Sequence, residues 1–203
     1  KNRGTANSWL ALDSSRGYNK TLQLNNANSE GTNAYTGYGI ESNFFGSTGI
    51  IANDGGSPGF NASTNNYIVY GWRANGGTTS TNTSGTITST VQANQAAGFS
   101  IVLYTGESAT RTVGHGLNTT PNFIVFKSRG GSRNWGCFHT DTGLNRVDIN
   151  TNSAMDTGSA GAFGSTLPSS SVFTIGDSSE TGKSEDYVAY CWHDVEGYSK
   201  FGS

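Results

Sequence analysis

The chain carries little charge and has no long apolar run. Of its 203 residues, only 13% are charged and 33% are hydrophobic, and both shares are below those of typical globular proteins. Its net charge is −2 and its Lys and Arg residues form no cluster, so it lacks the electrostatic footprint of a nucleic-acid-binding protein. No apolar stretch approaches the roughly 18 residues of a membrane-spanning helix. We therefore expect neither nucleic-acid binding nor membrane insertion.

Residue types that build active sites are also scarce. The three histidines, His115, His139 and His193, lie apart in the sequence, and there is no P-loop, zinc-ligand spacing or nucleophile elbow. The two cysteines, Cys137 and Cys191, are predicted to be buried free thiols, with a disulfide as the alternative. The sequence therefore favours a protein that is not an enzyme and needs no cofactor.

What the chain does have is Gly, Ser, Thr and Asn between short apolar stretches. Gly alone accounts for 29 residues, and aromatic residues make up 11%, which is more than disordered chains contain. Helical periodicity is nearly absent, whereas strand patterns bounded by turn residues recur. This pattern predicts an all-β fold of antiparallel β-sandwich units, concanavalin-like or a similar jelly roll.

The second half of the chain repeats the first. Lys1-Asn2-Arg3-Gly4, followed by Trp9, recurs as Lys127-Ser128-Arg129-Gly130, followed by Trp135. Internal repeats of this kind are typical of arrays. We predict a first unit at 1–77, a linker at 78–97 that is partly a strand along the next unit, and a second unit at 98–203.

A second match has consequences for burial. The apolar segment 67–72 recurs as 187–192, which predicts that Trp72 is equivalent to Trp192, as Trp9 is to Trp135. Neither face of this pattern is polar, so both segments are predicted to be central strands that are buried on both sides.

The ends of the chain do not fall at repeat boundaries. Gly197-Tyr198-Ser199 resembles Gly98-Phe99-Ser100, so residues 197–203 are predicted to start a further copy, and the first unit is predicted to be incomplete at its amino end. We expect further chain or another subunit to complete the sheet edges, because exposed edges invite association. A homo-oligomer is the expected state.

Candidate binding residues lie in loops of both units. In the first unit, aromatic rings accompany Asn in a Gly-rich segment that has little strand pattern, namely Tyr35, Tyr38, Asn43, Phe44 and Phe45. Aromatic rings stack on the apolar faces of sugars, so these residues indicate either a glycan-binding surface or packing against a neighbouring unit. In the second unit, Arg146 is the candidate binding residue.

Three oxygen-bearing side chains near Arg146 suggest a metal. Asp141, Asp148 and Asn150 are of the type that binds Ca²⁺. The alternative, which we favour, is that Asp and Asn build these loops by capping their own backbone.

Several segments of the chain have a specific pattern, namely residues 95–102, 104–106, 113–117 with Pro121, 126–129 with Trp135, 186–192 and 196–203. These segments resemble a repeated domain of marine bacteriophage virion proteins, which are common in phages of cyanobacteria and are often described as tail-fibre-like or structural. The resemblance implies a β-sandwich building block outside the phage particle, and it brings no catalytic signature.

We therefore expect a non-enzymatic virion structural protein, either a tail-fibre-like or a head-decorating segment, that serves scaffolding and host-surface attachment. Its expected partners are other virion proteins, copies of itself and a host cell-surface glycan, and its expected location is the virion surface or the extracellular space. A lectin-like carbohydrate-binding module is the alternative. A glycan-degrading enzyme, which would need a pair of carboxylates across a groove, comes third.

Overall fold

The chain folds as an all-β protein. The computed structural model describes residues 1–4, 6, 8–17, 19–32, 45–46, 49–50 and 65–202, and of residues 32, 45, 46, 49, 50 and 160 it describes the backbone alone. The strands are β1 (Leu10–Ala11), β2 (Lys20–Gln23), β3 (Gly31–Thr32), β4 (Phe45–Gly46), β5 (Gly49–Ile50), β6 (Ser80–Asn82), β7 (Ser89–Asn94), β8 (Phe99–Thr105), β9 (Arg111–Gly114), β10 (Phe123–Ser128), β11 (Gly136–His139), β12 (Gly143–Asp148), β13 (Val172–Ile175) and β14 (Asp186–Trp192). Helical structure in the described residues is confined to two 3-10 turns, Thr140–Thr142 and Ser159–Phe163. The predicted all-β class is confirmed.

Seven of the strands form one antiparallel sheet. Their order is β12-β11-β10-β14-β8-β7-β6. The central strand, β14, pairs with β10 on one side and with β8 on the other. Its neighbouring residues Val188 and Ala189 point to opposite faces of the sheet, and both are fully buried. This strand is apolar on both faces and lies at the centre of the sheet, as its sequence predicts.

Both faces of the main sheet are covered. On one face, Val113 of β9 and Phe173 of β13 pack against Tyr187 and Cys191 of β14. On the opposite face, Leu22 of β2 joins a second core with residues of β10, β11 and β14. The main sheet is thus the middle layer of an antiparallel β-sandwich to which the N-terminal strands add a third layer.

The segment between the predicted units belongs to the main sheet. Within residues 78–97, β6 and β7 pair with each other, and β7 pairs with β8 from Thr90 to Asn94. The sheet therefore starts before the predicted boundary at 98. The expectation that this segment is partly a strand along the next unit agrees with the pairing, while the division into two repeat units stays a prediction.

Buried charges attach the N-terminal layer to the main sheet. The Arg16 guanidinium contacts the carboxylates of Asp13 and Glu30, and Glu30 in turn pairs with Arg129 at 3.0 Å. The Tyr190 hydroxyl of β14 donates a hydrogen bond of 2.6 Å to Asp13. Charged side chains are therefore buried between the two layers, where each has an opposite charge.

Two further side chains cross the same boundary. The indole Nε1 of the fully buried Trp135 donates to the Gln23 carbonyl at 2.8 Å. The ammonium of Lys127, whose side chain is also fully buried, donates to the carbonyls of Ala27 at 3.1 Å and Arg133 at 2.7 Å. The N-terminal layer is thereby fixed to the sheet through its backbone as well as through its charges.

The two cysteines are free and buried, as predicted. Cys137 belongs to the core under the N-terminal layer, whereas Cys191 belongs to the core on the other face of the sheet. The sheet therefore separates the two thiols, and the alternative of a disulfide between them is wrong.

Candidate interaction surface

The large apolar side chains that the described residues expose include one contiguous group. Val69 is 63%, Tyr70 64% and Trp72 52% exposed, and Trp9 is 37% exposed. The Trp9 and Tyr70 rings stack with their centroids 6.3 Å apart. We call residues 69–72 the open segment. Contiguous exposed apolar groups of this kind mark interaction sites.

The backbone of the open segment is unpaired within the described part of the chain. Ile68, just before it, exchanges two hydrogen bonds of 3.0 Å with Lys1. Beyond Ile68, no described residue makes a hydrogen bond to the backbone of the open segment. The open segment therefore offers unpaired donors and acceptors together with exposed side chains.

The pairing at Lys1 has a counterpart in the main sheet. Asn2 bridges Tyr67 in antiparallel fashion, as Ser128 pairs with Tyr187. The amide of Arg3 donates to the Asn66 carbonyl at 2.8 Å, and that of Arg129 donates to the Asp186 carbonyl at 2.7 Å. Residues 1–3 and 66–68 thus have the same register as the matching residues of β10 and β14.

A second pair of local structures also matches. The Trp9 amide donates to the Asn25 side chain at 3.0 Å, and the Trp135 amide donates to the Asn150 side chain at 2.8 Å. The Trp9 carbonyl also accepts a hydrogen bond from the Leu24 amide, and the Trp135 carbonyl accepts one from the Ile149 amide. Leu24 and Ile149 each precede the asparagine of their hairpin. The hairpins β1–β2 and β11–β12 are therefore closed in the same way.

The predicted equivalence of Trp72 and Trp192 does not extend to their surroundings. Trp192 lies in β14 and is 9% exposed, whereas Trp72 lies outside the described strands and is 52% exposed. The prediction that residues 67–72 form a central strand buried on both sides is wrong for the open segment. The reason is that the sequence supplies two segments of the β14 type, while β8 and β10 both pair with β14.

The open segment nevertheless rests on the core at its carboxyl end. The Trp72 ring lies 5.7 Å from the Trp192 ring and 6.4 Å from the Phe99 ring. On the other side of Trp192, Phe123 and Phe201 continue the aromatic cluster. The rings of the open segment are thus anchored at one end and exposed at the other.

The predicted aromatic site in the first unit lies mostly outside the described residues. Tyr35, Tyr38, Asn43 and Phe44 are not among them. Phe45 is described by its backbone alone, as part of β4, which pairs with β5. Ligand binding by these residues stays a prediction.

Arg146, the predicted binding residue of the second unit, is engaged with acidic side chains. Its guanidinium lies 3.0 Å from Asp148, 2.9 Å from Glu180 and 3.6 Å from Asp156. These contacts connect β12 to the loops that follow β12 and β13. In this arrangement Arg146 holds protein elements together.

Of the three predicted metal ligands, two lie together and one lies apart. Asp148 and Asn150 both bond to Asn134, at 3.1 and 3.0 Å. Asp141 lies in the first 3-10 turn, 4.0 Å from His139. Because Asp148 already faces the Arg146 guanidinium, a cation there would have to displace a positive charge. The described residues contain no group of three or more His, Cys, Asp or Glu side chains that is placed to hold a metal ion.

The pattern of the open segment was visible in the sequence, but its exposure was not predicted. Within the described residues, β8 and β10 both pair with β14, and residues 1–3, which match β10, reach only as far as Ile68.

The chain belongs to a family that a sequence comparison identifies. Residues 1–203 match the family model described as "Domain of unknown function (DUF7483)". No curated protein and no solved structure matches the chain significantly. Among the described residues, no helix is long and apolar enough to cross a membrane.

Proposed function

We propose that this chain is a non-enzymatic structural domain of a phage virion, tail-fibre-like or head-decorating, that joins a neighbouring subunit through the open segment. It would act at the virion surface, in scaffolding and in attachment to the host. The observation that carries the proposal is the exposure of Val69, Tyr70 and Trp72 on a backbone that no described residue pairs.

The physical argument concerns the cost of leaving such a segment in water. Large contiguous apolar patches are rare on monomeric proteins, and a sheet edge with unpaired amides and carbonyls pairs readily with another chain. Residues 67–72 contain no charged residue and no proline, the features that usually protect such an edge. A partner that covers the open segment removes both costs at once.

The rest of the fold supports a structural role for the domain. The main sheet has a core on each face, and buried ion pairs tie the N-terminal layer to it. Trp9 comes from the N-terminal layer and stacks on Tyr70. The interaction surface is therefore held on a sandwich rather than on a mobile loop.

Labelling of particles tests this proposal. Antibodies raised against the purified chain should decorate intact phage particles produced from the genome that encodes it, and mass spectrometry should find the chain in those particles. If particles lack the chain and bind no antibody, the virion role is wrong.

A lectin-like role is the second candidate, and one observation favours it. The Trp9 ring stacks on the Tyr70 ring, and the backbone amide of Trp9 donates a hydrogen bond to the Asn25 side chain. Exposed rings beside amide side chains suit the apolar face and the hydroxyls of a sugar. A glycan array probed with and without a chelator should then give binding that Trp9→Ala abolishes, and an array without signal would remove this candidate.

A further inference from the structure

We infer that the partner of the open segment is a second copy of this chain, whose own open segment adds to it as an antiparallel strand across a two-fold axis. This inference rests on the proposed function and specifies the partner. Residues 1–3 already occupy part of one edge of segment 66–72.

The register identifies the edge that remains open. In an extended chain, alternate residues direct their backbone groups to opposite edges. Ile68 directs its amide and carbonyl to Lys1. An extended conformation carried on through residues 69–71, as in the matching residues of β14, directs the amides and carbonyls of Val69 and Gly71 to the other edge. In the main sheet, the corresponding edge of β14 is the one that pairs with β8.

The chemistry of the open segment matches that of another open segment. A strand that pairs here must be apolar and must itself have an unpaired edge. The other large apolar side chains exposed among the described residues are isolated from one another in the sequence, namely Ile149, Met155, Leu167 and Tyr198. Within the described part of the chain, only the open segment combines an apolar run with unpaired backbone. The open segment of a second copy is therefore the surface that matches it.

Charge also permits self-pairing. Residues 67–72 carry no charge, and the nearest charged residue that follows is Arg73. A two-fold axis through Val69 places Arg73 opposite Asn65 of the other copy, and an axis through Tyr70 places it opposite Tyr67. Neither arrangement brings the two Arg73 side chains opposite each other. Two-fold dimers with self-complementary interfaces are the commonest oligomers.

Sedimentation analysis of the full chain tests the inference. The wild type should sediment as a dimer at micromolar concentrations, with twice the 21.3 kDa mass of the chain. Val69→Pro removes an amide from the open edge, and Tyr70→Lys places a charged side chain in the middle of the open segment. Each should raise the dissociation constant roughly tenfold or more, as expected for residues at the centre of an interface.

Leu167→Lys is the matched control, because Leu167 is 58% exposed and does not belong to the open segment. It should leave the dissociation constant unchanged. Far-UV circular dichroism of each variant checks the fold, and Tyr70→Lys keeps the test valid if Val69→Pro does not fold. A wild type that is monomeric throughout, or a dimer that neither variant weakens, would overturn the inference. Particle labelling is independent of this result, so a monomeric chain found in particles would leave the virion role standing and exclude only the second copy.

Discussion

At the scale of single residues, the contact between the N-terminal layer and the main sheet depends on charges removed from water. Burial by itself would raise the pKa of Asp13, but the charge of Arg16 and the hydrogen bonds from Tyr190 and Arg16 outweigh it and hold that pKa below its usual value. The Arg16 guanidinium is fully buried and also contacts Glu30 at 3.1 Å. Charges in such a cluster are stable only together.

Arg16→Met should therefore destabilise the protein strongly. Removing one member of a buried ion cluster leaves the others unpaired, which typically costs about 3–5 kcal/mol in the free energy of unfolding. Urea denaturation measures this cost. Arg111→Met is the matched control, since Arg111 pairs with Glu107 at the surface and such pairs are worth about 1 kcal/mol or less. Equal losses in the two variants would show that the buried cluster does not hold the layers.

The lowered pKa of Asp13 also predicts a dependence on acid. The carboxyl binds a proton more weakly in the folded than in the unfolded state, so its stabilising effect is complete above the unfolded pKa of about 4. The effect is lost as the pH falls through the lower folded pKa. Asp13→Asn should lose less of its stability over this range than the wild type, although it is less stable at neutral pH.

Lys127 predicts the opposite behaviour in base. Burial lowers its pKa to about 8, against the opposing charge of Glu185. The folded protein therefore releases this proton at a lower pH than the unfolded chain does, and the contribution of Lys127 to stability rises between about pH 8 and the unfolded pKa of about 10.4. The difference in unfolding free energy between the wild type and Lys127→Met should grow in favour of the wild type across this window. A difference that is constant with pH would contradict the lowered pKa.

At the scale of elements, the sequence predicted β14 well and the open segment badly. The two segments share a pattern that is apolar on both faces, and this pattern reports which neighbours a strand can accept. It does not report how many neighbours exist. Because β8 and β10 pair with β14, the second segment of the same pattern is left with part of one edge covered, and no local property of its sequence could show that.

The two tryptophan hairpins allow this difference to be measured. Trp135 is fully buried and Trp9 is partly exposed, although both precede hairpins closed by the same contacts. Trp135→Ala should cost about 3–5 kcal/mol, as for other buried aromatic residues. Trp9→Ala should cost about 1 kcal/mol or less, because substitutions at exposed positions are mild. Denaturation at a concentration where the chain is monomeric compares them, and similar losses would mean that Trp9 belongs to the core.

At the scale of the whole molecule, the predicted all-β sandwich was correct, and its third layer was not foreseen. Composition and strand patterns predict the fold class, because a strand leaves its alternating pattern in the local sequence. The attachment of β1 and β2 to the far face of the sheet depends on contacts between residues about 100 positions apart, such as Trp135 with Gln23 and Lys127 with Ala27. A pattern read along the chain contains no information on such pairs.

The sequence predicted a binding surface of exposed aromatic rings. The described residues expose a different set of rings, Trp9, Tyr70 and Trp72. The rings named from the sequence, Tyr35, Tyr38, Phe44 and Phe45, were chosen because their segment lacks strand character, and their role in binding stays a prediction. The open segment was assigned to a core because its strand character is strong.

The central claim is that the open segment is unpaired in the single chain and pairs with a second chain. Hydrogen–deuterium exchange tests it most directly. At dilutions where the chain is monomeric, the amides of Val69 and Gly71 should exchange rapidly while those of β14 stay protected. Protection of Val69 and Gly71 should appear as the chain is concentrated or assembled into particles, and Val69→Pro should prevent it at Gly71. Slow exchange of these two amides at high dilution, or rapid exchange under every condition, would contradict the account.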